Sequence, residues 1–262
     1  MVFVLGASIG SFLNVVAHRL PLKLSLWHPP SRCPQCLRSL KPYDNIPVLG
    51  WLKLKGRCRY CRTPISLRYP IVEGMTGLVF VWIAWSFPTP LLAIGYWALF
   101  SWLLALSLID LDTMTLPLSL MRSGLVVGLL FQTLGGWLNH QTVVGAAAQL
   151  FSGILGAVVG IWLFDLIRIG GSIALKQDAM GSGDAKLAAM MGAWLGWKLL
   201  LLAGFLACVG GAAIGGGAMA LGWLDRRQPM PFGPFLALGA MLALFFGEPL
   251  LLTYRQLFFP TL

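Results

Sequence analysis

Long apolar runs, separated by short polar or proline-rich breaks, set the pattern of the chain. They lie near residues 1–18, 71–88, 91–109, 117–136, 143–167, 184–197, 199–223 and 232–254. Most approach the roughly 20 residues that a helix needs to cross the hydrocarbon layer of a bilayer. A lipid interior offers no partner to an unpaired backbone group, so each segment must satisfy its own hydrogen bonds, and that selects helices. The pattern predicts an all-α polytopic membrane protein with about eight transmembrane helices. The sixth is short, and its boundary with the seventh, near Trp194 and Lys198, is the least marked.

Composition agrees with the pattern. Hydrophobic residues make up 58% of the 262 residues and charged residues 11%, against about 25% charged in a soluble domain. The uncharged stretch Met1 to Ala17 has the look of a signal sequence. It lacks a basic region before it and a small-residue cleavage site before His18-Arg19, and is expected to be a retained first span.

Residues 19–70 depart from the rest. They hold eleven Lys and Arg, one acid (Asp44), four of the five Cys, and eight Pro. The expected organisation is a first transmembrane helix (1–18), an inserted soluble module (19–70) and a transmembrane domain (71–262). The net charge of +10 raises the question of nucleic acid, but in a membrane protein Lys and Arg first report topology. With the N-terminus outside, 17 of the 19 Lys and Arg fall on the inner side, with only Lys198 and Arg255 outside. The module is then cytoplasmic, its basic surface faces anionic membrane lipid, and nucleic acid is not an expected partner.

Cys33-Pro-Gln-Cys36 and Cys58-Arg-Tyr-Cys61 are two C-x-x-C knuckles, each offering two thiolates. Together they complete an all-sulfur tetrahedral shell for a structural zinc ion, with no position open for catalysis. In so small a segment, metal supplies folding energy that a small core cannot. Thiol–disulfide exchange is the competing reading, since C-x-x-C flanked by Lys and Arg is also a redox motif. Cys208, alone in an apolar run, reads as core.

Nine acids occur in the chain, and two stand where an acid is hard to justify. Asp110 ends an apolar run, and Asp184 closes Gly181-Ser182-Gly183-Asp184 at the mouth of another. Carboxylates at membrane depth are costly, and they default to a functional hypothesis. Asp110 and Asp112 project about 200° apart on a helix, so only one of them faces the interior. Helix capping is the plain alternative for each aspartate taken singly. The assigned topology puts Asp110 and Asp184 on one membrane face, where two close carboxylates share a proton, one acting as base and the other as acid, to drive water onto a peptide carbonyl. The histidines at 18, 28 and 140 are scattered, and HExxH, GxSxG and Walker A sequences are missing.

At these residues the chain resembles the type IV prepilin peptidases, bifunctional leader peptidases and N-methyltransferases that belong with the GxGD aspartyl proteases. The resemblance runs through Gly10 to Val16 with Arg19-Leu20-Pro21, Pro30 to Cys36, Tyr43 to Leu49, Gly56 to Cys61, Ile65 to Pro70 and Glu73. It continues through Ile109-Asp110 with Pro117, Gly181 to Leu187 and Pro231 to Gly239. It implies Asp110 and Asp184 as the catalytic pair, with Asp112 where no acid is required. It also implies cleavage after the leader Gly of type IV prepilins or pseudopilins at the cytoplasmic face of the bacterial inner membrane. Methylation of the new N-terminal amine by S-adenosylmethionine follows from the same resemblance; no G-x-G-x-x-G loop after a strand marks a donor site. Tyr43, Asp44, Asn45 and Glu73 are candidates to hydrogen-bond that cofactor, against a plainer reading as turn residues and a helix-start acid. The acids Asp110, Asp112, Asp165 and Asp178 offset the repulsion that a basic leader would meet near the site.

Two other classes remain open from the residues alone. A proton-coupled transporter also uses intramembrane aspartates, yet inverted repeats are not evident and it has no need of a four-cysteine module. A membrane thiol oxidoreductase accounts for the cysteines and leaves Gly181 to Asp184 idle.

Overall fold

The computed structural model describes residues 1–176, 180–223 and 230–258; Asp178, an acid singled out in the sequence, lies outside the described residues. Among these residues the fold is helical, and the only β pairing is two isolated bridges, Arg32 with Ser39 and Arg57 with Pro64. Six of the helices are long and apolar enough to cross a membrane, and the protein is a multi-pass membrane protein. The chain forms two compact units, Met1–Ser101 and Trp102–Leu262.

In the first unit, α1 (Val2–Arg19) packs along α3 (Arg68–Ser86). Small residues allow the approach: Gly6 meets Phe80, and Gly10 meets Thr76 and the backbone of Glu73. Phe80 in turn stacks on Trp97 of α4 (Pro90–Thr113), ring centroids 5.1 Å apart, and the Trp97 indole N–H donates to its carbonyl at 2.9 Å. α3, where the sequence predicts a span at 71–88, is not among the six helices long and apolar enough to span. Between α1 and α3 lies the module, with a 3-10 turn at Pro42–Asp44 and the short helix α2 (Leu49–Lys53).

The second unit holds α5 (Leu118–His140), α6 (Val143–Leu175), α7 (Ser182–Ala220) and α8 (Gly233–Phe258). Where the sequence predicts two spans divided near Trp194 and Lys198, one helix runs through and bends at Gly196. That residue has φ 72° and ψ 171°, a conformation reserved for glycine. The two predicted segments are therefore the arms of a kinked α7. Its first arm lies against α6 with the backbones of Gly156 and Gly192 in direct contact, the close approach that small residues permit between membrane helices.

Candidate active site and metal centre

Asp110 lies in the last turn of α4, 5% exposed, whereas Asp112 is exposed. The helix stops because Met114 takes a left-handed conformation (φ 50°) while its N–H closes onto the Asp110 carbonyl at 2.9 Å. Pro117 then starts the next helix. The inward position of Asp110 follows from the helical period, which cannot turn both acids to the same side.

Asp184 is the third residue of α7 and 6% exposed. Gly181 is extended before it (φ −67°, ψ 142°). Gly183 leaves room for the Leu116 side chain, which a Cβ at that position would meet at 3.0 Å. Leu116 belongs to the turn after α4, so this contact brings the Asp110 end of α4 to the start of α7.

A third element completes the site. The N–H of Gly233, the first residue of α8, donates to Asp110 Oδ2 at 2.9 Å in a buried position. Both aspartates thus sit at the positive end of a helix, Asp184 on its own and Asp110 on that of α8. Pro231-Phe232-Gly233-Pro234 leads into α8. In the sequence it is a rigid, glycine-containing break just before an apolar run, with Pro234 at the start of the helix, where the missing N–H costs nothing.

The four cysteines of the module converge, all Sγ atoms within 4.8 Å of one another. Cys33 and Cys61 are 3.6 Å apart and Cys36 and Cys58 4.0 Å apart, close to the roughly 3.8 Å edge of a tetrahedron with metal–sulfur bonds of about 2.3 Å. The knuckles repeat one conformation. Cys33 N–H bonds the Arg38 carbonyl and Cys58 N–H the Thr63 carbonyl, at 3.0 and 2.8 Å. Leu37 and Arg62, each next after the second cysteine of its knuckle, are both left-handed (φ 56° and 61°). Cys33 and Cys58 are buried; hydrogen bonds from Thr63 bring the Cys61 thiol down to about 6, whereas against a hydrogen bond from the Arg38 backbone, burial and the neighbouring thiols push the Cys36 thiol up to about 11.

The remaining sequence candidates part company. Asp44 is buried and takes a two-point ion pair from Arg59, with Nε to Oδ2 at 2.7 Å. This guanidinium holds its carboxyl below the usual range. Glu73, buried in α3, accepts the Val48 N–H at 2.7 Å, fixing a residue whose φ is 61°. The Tyr43 ring carries three cations, Lys41, Lys53 and Arg59, between 5.2 and 5.6 Å from its centre. Asn45, in contrast, lines a cavity.

Residues 4–87 match the family model described as Bacterial Peptidase A24 N-terminal domain, and residues 97–216 match that of the Type IV leader peptidase family. Three relatives named prepilin leader peptidase/N-methyltransferase align over nearly the full chain. The protein from Stutzerimonas stutzeri is 37% identical over 284 residues, covering 97% of this chain and 92% of its own. That from Aeromonas hydrophila is 39% identical over 278 residues, covering 95% and 90%. That from Pseudomonas aeruginosa is 36% identical over 283 residues, covering 96% and 91%. No solved structure matches the chain.

Proposed function

The chain belongs to the type IV leader peptidase family, and from that membership we propose that it cleaves type IV prepilins or pseudopilins after the leader Gly and methylates the amine so exposed. Asp110 and Asp184 are the catalytic pair in this reading. The observation that carries it is a pair of buried carboxylates, Asp184 at the start of α7 and Asp110 held by the first N–H of α8, on segments joined by the contact of Gly183 with Leu116, both within the segment matched to the peptidase family. Neither carboxylate has an ion-pair partner among the described residues. The transporter and oxidoreductase readings are set aside, since neither accounts for relatives that are leader peptidases along nearly their whole length.

The chemistry needs both protonation states. The ionised carboxylate takes a proton from water as its oxygen attacks the scissile carbonyl carbon. The protonated carboxylic acid gives its proton to the departing nitrogen as the C–N bond breaks, leaving a leader carboxylate and a free amine. The Gly233 N–H occupies one lone pair of Asp110 Oδ2, which fixes the direction in which that carboxylate points. S-adenosylmethionine, when bound, supplies an electrophilic methyl group for the amine.

Cys33, Cys36, Cys58 and Cys61 would hold one structural zinc ion. The ion would close an all-sulfur shell and stabilise residues 19–70 as a cytoplasmic module, with 71–262 as the transmembrane peptidase domain. The distribution of Lys and Arg supports an inner-membrane orientation with the N-terminus outside and the aspartates toward the cytoplasm. Incubation of the purified protein with a prepilin and isotopically labelled S-adenosylmethionine tests the reading. The product is expected to begin at the residue after the leader Gly and to carry one labelled methyl on its amine. An uncut prepilin contradicts it.

A further inference from the structure

We propose that residues 22–30 form a loop that dips into the membrane beside α1, with Leu22, Leu24 and Trp27 entering the lipid at the Arg19 end of the helix. That leaflet is the cytoplasmic one in the orientation proposed above, and the placement rests on α1 crossing the membrane, not on the catalytic reading. The chain reverses directly after α1. Lys23 is left-handed (φ 55°), and the Leu24 N–H closes onto the Arg19 carbonyl at 3.0 Å, a turn that commonly ends a helix and redirects the chain. The segment then runs back along the helix instead of leaving it. A cavity of about 330 Å3 is lined both by Phe12 and Val15 of α1 and by Leu26, Trp27 and Pro30, and those two helix positions stand about 10 and 6 Å before Arg19 along the axis.

Irregular backbone is tolerated at membrane depth only where its polar groups find partners within the protein or its water-filled cavities, and this loop supplies them. The Arg19 guanidinium donates to the carbonyls of Ser25 at 3.0 Å, Leu26 at 3.4 Å and Pro29 at 2.7 Å. The Ser25 hydroxyl accepts the backbone N–H groups of Trp27 and His28, both at 3.3 Å. Pro29 and Pro30 have no N–H to satisfy. On the facing helix, the Ser8 hydroxyl donates to the Val4 carbonyl at 2.8 Å. In water these groups would need no such arrangement.

The side chains fit the same surroundings. Leu22 is 60% exposed, Leu24 52% and Trp27 82%, a run of apolar surface where a water-facing module would carry polar residues. Tryptophan favours the boundary between hydrocarbon and headgroups, and Lys23, between two leucines, reaches the headgroups on its flexible stem. Residues 19–70 hold eleven Lys and Arg against one acid, and that acid, Asp44, is spent on Arg59. The module thus brings net positive charge to an anionic leaflet. Apolar side chains set in a basic frame fit phospholipid, whereas a protein partner would leave the internally satisfied backbone unexplained.

Fluorescence of the full-length protein in nanodiscs of phosphatidylethanolamine and phosphatidylglycerol tests the placement. Trp27 is one of eleven tryptophans, so its signal is the difference between wild type and Trp27→Phe. Phospholipid brominated high on its acyl chains is expected to quench most of that difference, and aqueous acrylamide little of it. The reverse pattern overturns the proposal. p-Benzoylphenylalanine introduced in place of Leu24 is expected on photolysis to give phospholipid adducts by intact mass, severalfold above the yield when it replaces Leu37, which is 60% exposed at the first knuckle. Equal yields at the two positions, or capture of a second copy of the chain in place of lipid, overturn it. Leader cleavage enters neither readout, so failure of the peptidase reading leaves both results standing.

Discussion

The Gly233 N–H reaches Asp110 Oδ2 across 123 positions of sequence at 2.9 Å, and a Cβ at Gly233 would stand 2.8 Å from that same oxygen. The hydrogen bond and the missing side chain are two parts of one requirement. A methyl group there must push the Asp110 carboxylate aside. Gly233→Ala is expected to lower kcat for leader cleavage by about 10- to 100-fold, or roughly 1.4–2.7 kcal/mol of barrier, with little change in KM. Steady-state kinetics on a prepilin check this.

Four convergent thiols call for one metal ion per chain. Elemental analysis of protein purified under reducing conditions is expected to give one zinc per chain. Cys33→Ser and Cys58→Ser are expected to lose the ion and expose residues 19–70 to protease. A chelator reproduces the effect, since binding energy in such small sites is folding energy.

The Asp44–Arg59 pair makes stability depend on pH in one direction. Arg59 lowers the carboxyl's value from the ordinary 3.8, so the folded state binds its proton less tightly than the unfolded chain. The pair's contribution is then fully present above the unfolded value and fades as the pH falls through the folded one. Thermal unfolding is expected to show wild type more stable than Asp44→Asn near neutrality, with the gap closing below about pH 4.

Gly196 carries the bend of α7. Gly196→Ala forces a side chain into φ 72° and ψ 171° and sets its Cβ 2.7 Å from Ser152 Oγ. The expected cost is about 1–3 kcal/mol, seen as a lower melting temperature in detergent. Adding Ser152→Gly removes the contact and leaves the backbone strain, so the double variant stays below wild type.

Much of the fold is legible in the sequence. Hydropathy located the helices, because lipid constrains them more tightly than water does. Helical period separated Asp110 from Asp112, and the outcome is one buried and one exposed acid. Knuckle spacing brought the four thiols together. What sequence could not supply were partners at long range: Gly233 for Asp110, Arg59 for Asp44, and the Val48 N–H for Glu73. The stretch near Trp194 and Lys198 reads as the boundary between two spans, whereas a single glycine conformation lets the helix bend and continue.

Asp110→Asn and Asp184→Asn test the central claim most directly, because each keeps the side-chain shape and removes the ability to exchange a proton. Reconstituted into lipid with a prepilin and followed by product mass, each variant is expected to lose cleavage by about 1,000-fold or more, on the scale of removing an essential acid or base, while keeping its metal content and melting temperature. Wild-type turnover by either variant contradicts the assignment of the pair.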